Sequence, residues 1–226
     1  MKVATFGCSW THGLDEVDKH YNWPMALQEI HTDWEIHNYA LAGSSISFQV
    51  QLMEKVLRHE TYDIKIFQFT SPGRLTYFDE DCDYLKYFIN HKTNYNMFKA
   101  GTGLYRDIFA ITPGHSRLSK TDSFWTTSEK YKLAKLYFKF INKSIHGIEF
   151  KALAEYVSSR VDLCFIHNED SLNIQKYPVI IEEVKKIGGS DLLKNFIADR
   201  GEHFNKAGCQ WQANWINDNL KEKSII

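Results

Sequence analysis

The sequence predicts an α/β fold built on a doubly wound parallel sheet, and three observations predict it. Short β-rich runs alternate with longer segments of helical period, the pattern that crossover helices between parallel strands produce. Three of the β-rich runs end in polar residues, which sets chemistry at strand carboxyl ends, where ligands sit in open α/β sheets. The 226 residues, 43% hydrophobic and 15% aromatic, suffice for one sizeable core and are too few for two full domains, so a single domain over residues 1–226 is expected.

The strands are expected at residues 2–7, 34–39, 64–70 and 161–167, with a weaker fifth at 195–198. Ile46, Val50, Met53 and Leu57 recur at helical spacing and mark an amphipathic crossover from the second strand to the third. A second helical region is expected over 127–159, opened by Thr126-x-x-Glu129 as a capping box and interrupted near Gly147. The last helix begins after Asn205, a good cap residue, and carries Trp211, Trp215 and Ile216 on one face as core anchors. Residues 79–124 hold Tyr84, Tyr87, Phe88, Tyr95, Phe98 and Tyr105 among Gly, Asn and Lys with no clear period, and read as an aromatic-rich insertion over the site. Such rings stack on sugars, line acyl pockets or pack the insertion onto the domain. No repeat or low-complexity run interrupts the pattern.

Composition gives no support to several function classes. The 27 basic and 28 acidic residues leave a formal charge of −1, spread along the chain, so no footprint of a nucleic-acid or anionic-membrane partner is present. Cys8, Cys82, Cys164 and Cys209 form no C-x-x-C pair, and reduced, mostly buried thiols of a cytoplasmic protein are expected. The first residues enter a strand pattern at once, without a signal-peptide pattern, and no apolar run reaches membrane-spanning length. No organic cofactor or metal is expected: there is neither a Gly-x-Gly-x-x-Gly nor a P-loop, and no His/Cys cluster has ligand spacing.

The chemistry gathers in three places. Phe6-Gly7-Cys8-Ser9-Trp10-Thr11-His12-Gly13 follows the first strand directly, so Ser9 falls on the turn leaving it. Gly7 permits a tight backbone there, and the amide of Ser9 is available to an oxyanion. The bland alternative is a turn that happens to carry a small hydroxyl residue. Asn38-Tyr39-Ala40-Leu41-Ala42-Gly43-Ser44-Ser45 occupies the junction between the second strand and the following helix, where a glycine also serves simply to make the turn. Near the carboxyl end stands Asp199-Arg200-Gly201-Glu202-His203-Phe204-Asn205-x-x-Gly208.

In this order the three segments resemble the sequence blocks of the SGNH (GDSL-like) hydrolase family, in its divergent, phage-type style. The familiar Gly-Asp-Ser-x-x-x-Gly reads Gly7-Cys8-Ser9-x-x-x-Gly13 here, with Cys8 in place of the acid. Alternation along the strand turns Cys8 away from Ser9, into packing. The resemblance implies a three-layer α/β/α sandwich with a parallel sheet in flavodoxin-like order. It also implies a serine esterase or deacetylase that forms an acyl-enzyme on Ser9, with His203 as general base and Gly43 giving an oxyanion amide. Losing one such donor costs on the order of 2.7–4 kcal/mol of transition-state stabilisation. The implied partner is a small-molecule or carbohydrate acyl ester. An acyltransferase using the same serine and histidine, and a non-catalytic binding domain of the same fold, are the alternatives.

Two departures stand out. The family's third block places an oxyanion asparagine after the third strand, where this chain reads Phe69-Thr70-Ser71-Pro72-Gly73-Arg74, leaving Thr70 or Ser71 as hydroxyl donors and Arg74 as a charged fork or an ordinary turn residue. The usual acid stands three residues before the histidine, where this chain has Arg200; Asp199 reaches the imidazole through a one-residue bulge, ahead of Glu202, or a backbone carbonyl orients the ring. His12 is a further candidate substrate contact, while His167 is among the histidines read as solvated or packed.

Overall fold

The computed structural model describes residues 1–13, 21–41, 43–70, 74–78, 108–111, 143–167, 176–197 and 203–226. Four parallel strands form its centre: β1 (Lys2–Phe6), β2 (Glu35–Asn38), β3 (Ile64–Phe69) and the strand Leu163–Ile166, in the spatial order second, first, third, last. The register pairs Val3 with Ile36 and Ile64, and Phe67 with Cys164. Antiparallel strands β4 (Leu75–Phe78) and β5 (Ile108–Ile111) make a separate two-stranded sheet. The last parallel strand is therefore β6.

Period-two alternation splits the parallel strands between two cores, one on each face. Ala4, Phe6, Phe67 and Phe69 pack with Phe48, Leu52 and Met53 of α3 (Ile46–His59) and Phe150 and Ala154 of α4 (Lys143–Ser158). Val3, Ile64, Ile66, Leu163 and Phe165 point the other way. They meet Trp23 and Leu27 of α2 (Trp23–Ile30), Ile180 and Val184 of α5 (Ile180–Phe196), and Ala213, Ile216 and Leu220 of α6 (Lys206–Glu222). Helices thus cover both faces, giving the three-layer α/β/α arrangement in flavodoxin-like strand order. Burial on both faces explains why the strands read as nearly continuous apolar runs.

Expectation and structure differ at several elements. Asn195 and Phe196 end α5 instead of starting a fifth strand, and only Ile197 makes a bridge, antiparallel to Phe204. The β-branched and aromatic character that suggested a strand serves packing against the second core. Gly147 does not interrupt α4, which runs through it with the glycine buried; the capping box at Thr126 lies outside the described residues. Helix α2 has no counterpart in the sequence reading. Asn22 caps it, its side chain accepting from Met25 N at 2.9 Å, and Pro24 preorganises its first turn.

Cys8, Cys164 and Cys209 are free thiols, and Cys82 lies outside the described residues. Burial pushes the Cys164 thiol up to about 11. Among the described residues no helix is long and apolar enough to cross a membrane, and no group of His, Cys, Asp or Glu could hold a metal ion. Most of the aromatic stretch 79–124 lies outside the described residues too; Ile108–Ile111 is the part that is described.

Candidate active site

Beyond β1 the chain turns sharply into the short helix α1 (Ser9–His12), which puts Ser9 in its first position. The turn is possible because residue 7 has no side chain: a Cβ there would fall 1.9 Å from Thr11 Oγ1 and 2.7 Å from Thr11 Cβ. Cys8 is the cap, its carbonyl accepting from Thr11 N and His12 N at 3.0 and 2.9 Å, and it is buried. Gly13 closes the helix in the left-handed region at φ 84, donating to Ser9 O at 2.8 Å.

Two neighbouring strands hold this turn in place. Thr11 Oγ1 donates to Gln68 Oε1 on β3 at 2.6 Å, and the same oxygen accepts from Trp23 Nε1 at 2.9 Å. From β2, Asn38 Nδ2 donates to Thr11 O at 2.9 Å. The hydroxyl of Ser9 is consequently carried on a backbone fixed from both sides, with the residue 6% exposed.

His203 is fixed by a different device. Asn205 caps α6 by accepting from Gly208 N at 3.0 Å, while its own N–H donates to Phe196 O at 2.7 Å and its Nδ2 to Asn195 O at 2.7 Å. A Cβ on Gly208 would lie 2.7 Å from Phe196 O and 2.8 Å from Phe204 Cβ. The Asn-x-x-Gly spacing is therefore a physical requirement of docking the start of α6 onto the end of α5. These two devices meet at one contact: His203 Nε2 lies 2.7 Å from Ser9 Oγ, across 194 positions of sequence. With the ring neutral and protonated on Nδ1, the hydroxyl donates to Nε2, which is the arrangement that makes a serine nucleophilic.

The remaining predicted residues distribute as follows. Gly43 occupies the turn Leu41 to Ser44 at φ 72, which favours glycine, and Ser44 N donates to Leu41 O at 3.2 Å. Leu41 N donates to Gly7 O at 3.1 Å, so this turn is tied to the end of β1. Thr70, directly after β3, is 1% exposed and its Oγ1 has no hydrogen-bond partner among the described residues. Arg74 is half-buried with an unpartnered, buried Nη1 among the described residues. It precedes β4, whose Thr76 Oγ1 accepts from Ser45 N at the start of α3 at 2.7 Å. His12 is buried at the end of α1, its carbonyl accepting from Asn22 Nδ2 at 3.0 Å. Ser71, Asp199 and Glu202 lie outside the described residues.

Sequence reasoning passed over two residues beside the pair. His167, directly after β6, is 3% exposed, and neither ring nitrogen has a hydrogen-bond partner among the described residues. Burial, reinforced by nearby His203, holds its pKa well below the ordinary histidine range. Its ring stacks on the indole of Trp10, and the His203 ring lies against the same indole, its centroid 4.5 Å from that of Trp10 at 43°. The signal for His167 was its position at the end of a parallel strand. The signal for Trp10 was adjacency to Ser9.

No family model matches the chain, and no curated protein matches it. Among solved structures it is similar to a crystal structure of TesA, at 12% identity and a TM-score of 0.44, covering 99% of each chain. It is also similar to a lipase/acylhydrolase from Enterococcus faecalis, at 12% identity and a TM-score of 0.44, covering 98% of this chain and 96% of that one.

Proposed function

We propose that this chain is a serine hydrolase of the SGNH kind, an esterase or deacetylase acting on an acyl ester of a small polar or carbohydrate substrate. The observation that carries the reading is the 2.7 Å approach of His203 Nε2 to Ser9 Oγ. In the proposed reaction Ser9 Oγ attacks the ester carbonyl carbon while His203 Nε2 takes the hydroxyl proton. The tetrahedral intermediate then collapses, the C–O bond to the alcohol breaks, and His203 returns the proton to the departing oxygen. Water, deprotonated by the same imidazole, then attacks the acyl carbon, the bond to Ser9 Oγ breaks, and His203 returns the proton to that oxygen as the acid leaves.

Charge on the intermediate needs donors. The amide of Ser9 stands in the first turn of α1, where no intrahelical acceptor precedes it, and Gly43 offers a second amide on the adjoining turn. In this reading the Thr70 hydroxyl, unpartnered among the described residues, takes the place of the family's asparagine, and Asp199 orients the imidazole from its other nitrogen. Arg74 and His12 border the substrate.

Hydrolysis of p-nitrophenyl acetate tests the reading. Ser9→Ala and His203→Ala should each lower kcat/KM by roughly a thousandfold or more, since the two groups act as a unit. Turnover that survives both substitutions would remove the proposal.

A further inference from the structure

The groups around His203 carry a second role at the same site, and it rests on the reading of Ser9 and His203 given above. Three aromatic rings form a column: His167 stacks on one side of the Trp10 indole at an interplanar angle of 25°, and His203 lies tilted against the same indole with 4.5 Å between centroids. Phe204 closes the column edge-on, 5.7 Å from Trp10 at 89° and 4.9 Å from His167 at 70°. Trp10 itself is half-buried and packs against the core on that face of the sheet. We propose that Trp10 is the positioning residue of the catalytic histidine, holding the His203 ring toward Ser9 and receiving its positive charge on the indole π-face once the serine proton has been taken.

The chemistry follows from the geometry. A cation within about 6 Å of an indole centroid is attracted by the ring quadrupole, and more strongly where water is excluded. His203 becomes such a cation only after Ser9 Oγ gives up its proton, so the attraction is larger in the transition state than in the resting enzyme and adds to the rate rather than to binding. His167, stacked on the same indole, is kept neutral by burial. A positive charge at that position would oppose the imidazolium of His203. The column thus fixes the angle of His203 by stacking and favours its charged state.

The test uses the full chain and a fluorophosphonate probe, with the maximal inactivation rate kinact and the half-saturating concentration KI measured separately. Trp10→Leu should lower kinact about tenfold with KI changed less than about twofold, and Trp10→Phe, which restores a π-face, should recover most of the loss. A merely structural indole would make Trp10→Phe fall with Trp10→Leu in proportion to their loss of thermal stability. Equal kinact for the unaltered chain and both Trp10 variants overturns this inference while leaving the hydrolase reading standing. A fall in kinact for His167→Phe as deep as that of His203→Ala overturns it too, by making His167 the base. If Ser9 of the unaltered chain takes no label at all, the hydrolase reading fails and the inference fails with it.

Discussion

His167 illustrates how a single buried side chain couples the site to the stability of the molecule. Its imidazole lies 3% exposed against Trp10 and Phe204, and burial, with His203 nearby, keeps it neutral far below the usual range. The unfolded chain binds a proton at that residue near pH 6.5. The folded chain does not until the pH is much lower. Stability from this group is therefore complete above about pH 6.5 and drains away as the pH falls below it, at up to about 1.4 kcal/mol per pH unit. Urea midpoints at pH 7 and pH 5 should show a smaller difference for His167→Phe than for the unaltered chain. Identical differences would mean that His167 titrates in the folded state as it does in the unfolded one. Its place at the end of an expected strand was the one signal the sequence held, because ring contacts and desolvation arise only when β6 is laid beside β3. Ser9 and His203 were legible for the opposite reason: each sits inside a short block whose glycines and cap residues are themselves sequence signals.

The elements that carry those two residues show what such signals mean physically. Gly7 is glycine because Thr11 folds back over it, and Gly208 is glycine because the Phe196 carbonyl and Phe204 leave no room for a methyl group. Gly208→Ala should cost roughly 1–3 kcal/mol through overpacking. Because that strain falls on the segment carrying His203, ester hydrolysis should drop as well, at temperatures where the variant is still folded. Thermal melts and kcat/KM on the same sample decide it, and unchanged activity in a destabilised variant would detach Gly208 from the placement of His203. Helix α3 was readable from its apolar spacing and α6 from Asn205. By contrast, α5 follows Val179, which supplies no side-chain cap, and is broken at Gly189, where φ is 64, so neither its start nor its period is clean. Residues 195–198, where Phe196 and Ile197 stand together, were read as a strand, whereas the first two of them end the helix. Tertiary packing overrides local propensity at such a place.

At the scale of the whole molecule, parallel pairing is what gathers the candidate site. Ser9, Gly43, Thr70 and His167 each follow the carboxyl end of a strand in the order β1, β2, β3, β6, and the sheet order β2-β1-β3-β6 places those ends side by side. Alternation along each strand divides the apolar residues between two helical layers, which is why the fold class could be read from the runs alone. The return of His203 to Ser9 could not be read that way, since it depends on α5 and α6 packing on one face and meeting at Phe196 and Asn205. That return is the claim on which the functional account stands. Mass-spectrometric mapping of peptides after fluorophosphonate treatment tests it most directly: the account predicts the label on Ser9, its loss in Ser9→Ala, and labelling slowed at least a hundredfold in His203→Ala. A label found on another residue, or one acquired by His203→Ala as fast as by the unaltered chain, would contradict it.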